Sequence, residues 1–210
     1  MSTDKEDFSS LIPFFNSLPL FDKPNLALEQ YSTPINILES YFNFFPTHDM
    51  DVVVDLGIGT GILSFLAIKL GSRHVIGLDI DKNSLYKTKS VAEKLKISNL
   101  SLIQTAVEFF PISKFKNKIN GVIMNPPFGT KRSFIDFVFL KKALQTNGWI
   151  LTLHKNNRES KNKLNSICLE YNYLIKEISD IVFPLYITHN MHKKNIHPVD
   201  VSLFLLSPSA

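Results

Sequence analysis

Asn125, Pro126, Pro127 and Phe128 close an apolar run, Val122-Ile123-Met124, that has the composition of a buried strand. Proline fixes its own φ and drives the residue before it out of the helical region, so Asn125 and Pro126 are both held extended. A side-chain amide, a stiffly held carbonyl and an aromatic ring are thus presented together at a strand end, a set that suits a planar amine. Such an amine is a poor nucleophile, because its lone pair is delocalised. Two acceptors, Asn125 Oδ1 and the Pro126 carbonyl, can hold its two N–H groups and favour the pyramidal geometry of the transition state. Phe128 can stack on the ring and fix its plane. No strong general base is required, because the amine becomes acidic as it gains a substituent. The tetrapeptide leaves the amine open: adenine N6, cytosine N4, guanine N2 and the glutamine side-chain amide all fit.

A second chemical stretch is Asp55-Leu56-Gly57-Ile58-Gly59-Thr60-Gly61. Glycines after a strand allow a tight turn and close approach of a ligand to the backbone. A dinucleotide fingerprint would place its third glycine at position 62, where this chain has Ile62, with Gly61 before it. An acidic residue followed by Gly-x-Gly-x-Gly is the pattern of S-adenosylmethionine enzymes. Asp79, 18 residues beyond Gly61 at the end of a second apolar run, can accept both hydroxyls of a ribose. A plain glycine turn capped by Asp55 is the bland alternative.

The elements that must position these residues alternate from residue 51 onward. Strands are expected at Val52–Leu56, His74–Asp79, Leu100–Gln104, Gly121–Met124 and Trp149–His154. Helices are expected at Ile62–Leu70, Ser84–Lys96 (Leu85, Val91, Ala92 and Leu95 inward), Phe134–Gln145 and Glu159–Tyr171. Continuous apolar strands separated by helices imply a parallel sheet covered on both faces. Tyr173–Phe183 and Val199–Leu206 read as two strands with no helix between them, an antiparallel pair closing a seven-stranded α/β sheet. Before the first strand, Thr33 and Pro34 predict a helix to Phe45, with the Thr33 hydroxyl as cap and proline in the first turn. Gln30 and Tyr31 then lie on the lead-in to a helix N-terminus, a usual place for ligand contacts, although their polarity also fits a surface loop. Residues 1–20 read as a front extension with one short docked helix, and 21–210 as a single domain.

Composition sets the remaining bounds. The 210 residues are 44% hydrophobic and 20% charged, ordinary for a soluble globular chain long enough for a substantial core. A net charge of +4 permits a polyanionic partner without demanding one. The single Cys168 excludes an internal disulfide and a multi-cysteine metal site, and its apolar surroundings read as core. The six histidines lack a ligand spacing, so no metal is expected. The acidic start and the lack of an apolar run of about 20 residues point to a soluble, intracellular protein of the cytoplasm or nucleus, with no membrane partner.

These motifs together carry a resemblance to a known family. Phe21-Asp22-Lys23-Pro24, Leu28-Glu29-Gln30-Tyr31, the Gly57 loop, Asp79-Ile80-Asp81, Asn125 to Lys131, Leu153-His154-Lys155 and His192-Lys193-Lys194 occur in that order. The pattern resembles the small-subunit rRNA adenine N6-methyltransferases, the methyltransferase-like protein 5 family, over nearly the whole chain from Phe21. The resemblance implies a Rossmann-like seven-stranded methyltransferase fold, mostly parallel with a C-terminal antiparallel pair. It implies S-adenosyl-L-methionine as cofactor, in a pocket of Gln30, Thr33, Asp55, Gly57, Gly59, Thr60, Gly61, Ile62, Asp79, Ala106, Val107 and Asn125. Asn125, Pro126, Pro127 and Phe128 would hold the target adenine of an 18S-type rRNA. It also implies a heterodimer with a small zinc-containing activator subunit. Strand Leu100–Gln104 should be a sheet edge, where apolar residues invite another chain; the front extension could shield that edge instead.

Two departures stand out. The family's usual Tyr-Pro-Thr is Tyr31-Ser32-Thr33 here, and its usual aspartate for the cofactor's adenine amino group is Ala106. Losing a hydrogen bond to a charged acceptor costs roughly 1.5–3 kcal/mol, unless Glu108 or a backbone carbonyl substitutes. Lys131, Arg132, Lys155, Arg158, His192, Lys193 and Lys194 are candidate phosphate contacts, or solvated loop residues. Two rival functions remain: a glutamine N5-methyltransferase of release factors, and a ribosome-assembly factor that keeps the fold without the activity.

Overall fold

Seven strands form one sheet in the order β3-β2-β1-β4-β5-β7-β6 in the computed structural model, which describes residues 7–21, 24–129, 131–189 and 193–209. At 177–178, 185–189 and 193–197 the description covers the backbone alone. The strands are β1 Val52–Leu56, β2 His74–Asp79, β3 Leu100–Gln104, β4 Gly121–Met124, β5 Trp149–Lys155, β6 Tyr173–His189 and β7 Lys193–Pro208. β1 to β5 pair in parallel, and β7 runs antiparallel between β5 and β6. β3 is an edge strand, as expected.

Side chains on alternate faces of the strands build two cores. Val53, Ile123 and Leu151 face a cluster shared with α1 (Phe8–Asn16), α2 (Ile35–Phe44), α3 (Ile62–Lys69) and, through Ala92, α4 (Lys82–Lys94). Val54, Val122 and Ile150 face the other cluster, with α5 (Ile135–Ala143) and α6 (Arg158–Glu170). This is the period of two that a doubly covered sheet requires. α3 is buried along its whole first two turns, Ile62 to Ala67, which explains its nearly uniform apolar sequence. Phe8, Leu11 and Phe15 of α1 lie in the same cluster as α2.

Several boundaries differ from expectation. α4 is Lys82–Lys94, beginning two residues early because the Asp81 carboxylate accepts from Asn83 N at 3.0 Å and caps it. Leu95 follows its end and is exposed rather than inward. α2 carries no side-chain cap: Pro34 is its N-cap, with its carbonyl accepting from Ile37 and Leu38. The Thr33 hydroxyl is used elsewhere. α5 ends at Ala143 and tightens into a 3₁₀ turn, Leu144–Thr146. The largest difference is at β6 and β7, where pairing continues from Phe183↔Val199 outward to His189↔Lys193. The segment expected as an open basic loop is a two-stranded ribbon beyond the end of β5; His192 lies outside the described residues.

Candidate active site

The strand order reverses between β1's neighbours β2 and β4, and the carboxyl ends of these strands open onto one crevice. A cleft of about 200 Å³ is lined there by residues of the lead-in to α2, the loop after β1, the ends of β2 and β3 and the segment after β4. A second cavity of about 30 Å³ adjoins it beneath the glycine loop. Of the expected cofactor residues, Gln30, Asp79, Ala106 and Val107 line the first, Thr33, Asp55, Thr60 and Ile62 the second, and Gly57, Gly59 and Asn125 both. Gly61 lines neither. It starts α3 at φ +84°, and a Cβ there would come within 2.7 Å of Thr88 Cγ2, so its role is to let the loop pack.

The glycine loop is fastened to β2. Gly57 N and Ile58 N both donate to the Leu78 carbonyl, and Gly59 N donates to Asp79 Oδ2 at 2.9 Å. Asp79 Oδ1 accepts from Asp81 N, so the carboxylate is aimed from both sides. Burial pushes its carboxyl above the usual range, against these backbone donors. Asp55 is buried more deeply. Desolvation pushes its carboxyl up to about 7; the Ser64 hydroxyl at 2.7 Å opposes the rise and nearby Asp79 adds to it. Two buried carboxylates beside one cleft favour a ligand that brings positive charge and hydroxyl donors. Phe139 lies over Gly57 and Phe21 over Gly59, each 3.1–3.2 Å from where a Cβ would sit, so apolar walls flank the loop. Neither ring stands out in the local pattern, although Phe21 belongs to the first quoted motif.

Gln30 proves to be a cleft residue. Its Nε2 donates to Asp81 Oδ2 at 2.8 Å and to Ser84, and its Oε1 accepts from Asn25 N, tying the lead-in to the start of α4. Tyr31 lies between the two cavities and lines both. Its hydroxyl donates to the Pro126 carbonyl at 2.9 Å, and burial raises the phenol well above its ordinary range. One step deeper, the fully buried Tyr41 donates to the Met124 carbonyl at 2.6 Å. Between them, Asn125 Nδ2 donates to Thr33 Oγ1 at 3.0 Å, while Asn125 Oδ1 is shielded from solvent without a hydrogen-bond partner. Residues 31, 33 and 41 thus grip three successive residues at the exit of β4.

Phe128 is placed differently from expectation. Its ring is 2% exposed and lines neither cavity, covered by Tyr31 on one face and meeting Phe183 edge-on. Of this aromatic group it is Tyr31 that faces the cleft, together with Phe21 and Phe139 from elsewhere, and Phe128 lies behind Tyr31. Pro127 lines the cleft and Pro126 does not.

The segment after the motif is fastened on both sides. Lys131 N donates to Glu29 Oε1 at 2.7 Å, and Arg132 Nη1 lies 3.2 Å from Glu108 Oε1. Arg132 thus lines the cleft in an ion pair while its side chain stays 69% exposed, and beside Ala106 the Glu108 carboxylate of the cleft is already paired. Lys155 and Arg158 sit at the end of β5 and the start of α6. Lys193 and Lys194 belong to β7, where only the backbone is described, and His192 lies outside the described residues. Sequence inspection also missed the buried pair His154 Nδ1 and Asp136 Oδ2, 3.0 Å apart, which ties the first turn of α5 to β5. No helix among the described residues is long and apolar enough to cross a membrane.

A family model described as a methyltransferase domain matches residues 47–198. The chain is 29% identical over 195 residues to the rRNA N(6)-adenosine-methyltransferase METTL5 of Danio rerio, covering 90% of this chain and 93% of that protein. It is 31% identical to an uncharacterized protein of Methanocaldococcus jannaschii, covering 90% and 89% of the two chains. Among solved structures, a candidate RNA methyltransferase from Pyrococcus horikoshii superposes with a TM-score of 0.85 at 27% identity over the whole of both chains.

Proposed function

The chain belongs to the methyltransferase domain family, and from that premise we propose that it methylates the exocyclic N6 amine of an adenosine in small-subunit, 18S-type rRNA. The observation that carries this reading is Asn125 Oδ1, a buried acceptor with no partner, on a residue shared by the glycine-loop cavity and the larger cleft. A buried acceptor left unmade costs free energy; the N–H of a substrate amine is the donor it lacks.

The cleft fits S-adenosylmethionine. Asp79 offers two carboxylate oxygens to ribose hydroxyls, Gly57 and Gly59 let the backbone approach, and buried Asp55 and Asp79 favour a cationic ligand. When bound, this cofactor supplies an electrophilic methyl group on a sulfonium. The chain's own part is to hold the amine. Asn125 Oδ1 accepts one N–H and so helps localise the nitrogen lone pair toward the cofactor side; the Pro126 carbonyl, expected as the second acceptor, lies outside both cavities and is engaged by Tyr31. Tyr31 supports the base from the cleft wall, and Phe128 stiffens Tyr31 from behind. Positioning of this kind supplies much of a methyl-transfer acceleration. A base in structured RNA must be unpaired or unstacked to enter. Lys131, Lys155 and Arg158 are the phosphate contacts of this reading.

The edge strand β3 supports an activator subunit as partner. Ile103 on it is exposed, as are Ile80 at the end of β2 and Phe109, 83% exposed, just beyond β3. An apolar open edge is a ready site for strand addition.

The test is transfer of labelled methyl from S-adenosylmethionine to purified small-subunit rRNA, with and without a candidate activator and with a release factor as competing substrate. N6-methyladenosine in the digested rRNA is the expected product. Label in a release-factor glutamine, or none in any arm, would overturn the reading.

A further inference from the structure

We propose that Phe134 is a stacking platform for a nucleobase beside the target adenosine, and that Lys163 takes the phosphate of that nucleotide. This rests on an RNA substrate and adds to that reading the residues that hold the strand outside the cleft. Phe134 sits at the rim. Its neighbours Arg132 and Ile135 line the cleft, whereas Phe134 lines neither cavity and is 45% exposed. It is also close to the amine-holding motif: a Cβ on Gly129, the residue after Phe128, would come within 3.2 Å of the Phe134 nitrogen. A strand whose unstacked target base enters the cleft runs its flanking nucleotides over this rim.

Three observations separate this ring from ordinary packing. Its backbone is left-handed, at φ +62° and ψ 18°, a region that a bulky residue seldom occupies and that costs free energy. A phenylalanine needed only for the core would be buried, yet this one is held in a strained turn facing solvent. The second observation is that the ring is anchored. The Phe134 carbonyl accepts from Phe137 N at 3.1 Å, and the Phe134 ring meets that of Phe137 at 6.2 Å between centroids. Phe137 is buried and stacked on His154, which is bonded to Asp136, so the platform is fixed to β5 before a ligand arrives. Third, Lys163 of α6 places its ammonium 3.2 Å from the centroid of the Phe134 ring. The stretch 155–163 around it holds four cations and one acid, Glu159, a balance suited to a polyanion. An exposed aromatic beside a cation offers a nucleotide both of its contacts, a π face for any base and a charge for phosphate.

The experiment uses the full chain with Phe134→Gly, Phe134→Tyr and Lys163→Gln. Methyl transfer to purified small-subunit rRNA gives kcat and KM over a range of salt, calorimetry the S-adenosylmethionine affinity, and thermal melting the stability. Glycine suits the left-handed turn, so Phe134→Gly should melt within about 4 °C of wild type. Its KM for rRNA should nonetheless rise roughly five- to a hundredfold, the range for one stacked base, with kcat and cofactor affinity unchanged. Phe134→Tyr, which keeps the ring, should stay within about twofold of wild type. Lys163→Gln should raise KM at low salt and flatten the slope of log KM against log salt by about 0.7, one phosphate of a single strand. Phe134→Gly should leave that slope alone. An unchanged KM in Phe134→Gly overturns the proposal, and so does an unchanged salt slope in Lys163→Gln. A KM loss that tyrosine fails to recover, or that comes with a larger fall in melting temperature, also overturns it. So does a loss that excess activator subunit abolishes, which would make the ring a protein contact. A wild type that methylates no rRNA adenine sinks the parent reading as well, whereas an active wild type indifferent to Phe134 sinks this one alone.

Discussion

The ring of Tyr31 lies parallel to that of Phe128, with centroids 5.1 Å apart and 17° between the planes. A residue from the lead-in to α2 thereby covers the aromatic of the β4 exit, and its hydroxyl holds the carbonyl two positions earlier. Because burial keeps the phenol protonated far above neutrality, the bond persists across the working pH range. Tyr31→Phe should keep the stack and lose about 1 kcal/mol of stability. Tyr31→Ala should also raise KM for rRNA, by removing the surface that meets the base. Urea melts and steady-state kinetics on both variants separate the two effects.

Ala106→Asp should tighten S-adenosylmethionine binding. The position lines the cleft, and its neighbour Glu108 is already paired with Arg132. Restoring a charged acceptor for the adenine amino group is worth roughly 1.5–3 kcal/mol, about ten- to a hundredfold in Kd. Calorimetry measures it directly, and an unchanged Kd would mean that another group already accepts that amine.

Asp79→Ala removes the carboxylate that Gly59 N and Asp81 N aim at the cleft. Cofactor affinity should fall by roughly a hundredfold or more, since two hydrogen bonds to a charged group are lost. Asn125→Ala should lower kcat by about 10² or more with a smaller loss of cofactor affinity than Asp79→Ala, since Asn125 lines both cavities. The opposite pattern in calorimetry and turnover would exchange the two assignments.

Asp55 makes the ligand-free protein sensitive to pH. Its ordinary value is 3.8 and its folded value about 7, so between these the folded state holds a proton that the unfolded chain has released. Its contribution to stability is full below about pH 4 and is lost as pH rises through 7, with a slope approaching about 1.4 kcal/mol per unit. Melting temperature should therefore fall from pH 5 to pH 8 more steeply in the wild type than in Asp55→Asn. Parallel melts of the two proteins across that range check it.

The central strands β1, β2 and β4 were legible because each is a short apolar run leading to a residue with a visible task, such as Asp79 or Asn125. Of the residues expected at the cofactor, the glycine loop and Asp79 were read from spacing and Gln30, Thr33, Ala106 and Val107 from the family resemblance, and all but Gly61 line one of the two cavities. What stayed hidden depended on distant partners. Tyr31 looks like a surface residue until Pro126, 95 positions away, is brought to its hydroxyl. Thr33 before a proline has the local form of a helix cap, and only the arrival of Asn125 redirects it. Pro184 and Pro198 look like strand breakers, yet they sit opposite one another in the ribbon, each facing a residue with the same missing donor. Leu95 seemed inward because the helix was expected over Ser84–Lys96; Asp81 caps it two residues earlier through the bond from Asn83 N, and it ends at Lys94.

The position of β7 has a bearing on how the chain is made. It is the last strand in order, yet it lies inside the sheet between β5 and β6. Until residues 201–206 leave the ribosome, β5 has an open hydrogen-bonding edge beside cores that still lack Val201, Leu203, Phe204 and Leu206, the kind of surface on which nascent chains aggregate. The methyltransferase cleft, built wholly from residues before 140, is complete in sequence long before its supporting sheet can close. Synthesis therefore passes through a stage with every residue of the cleft present and the scaffold unsealed, and nascent chains stalled there are the ones that should depend most on chaperones.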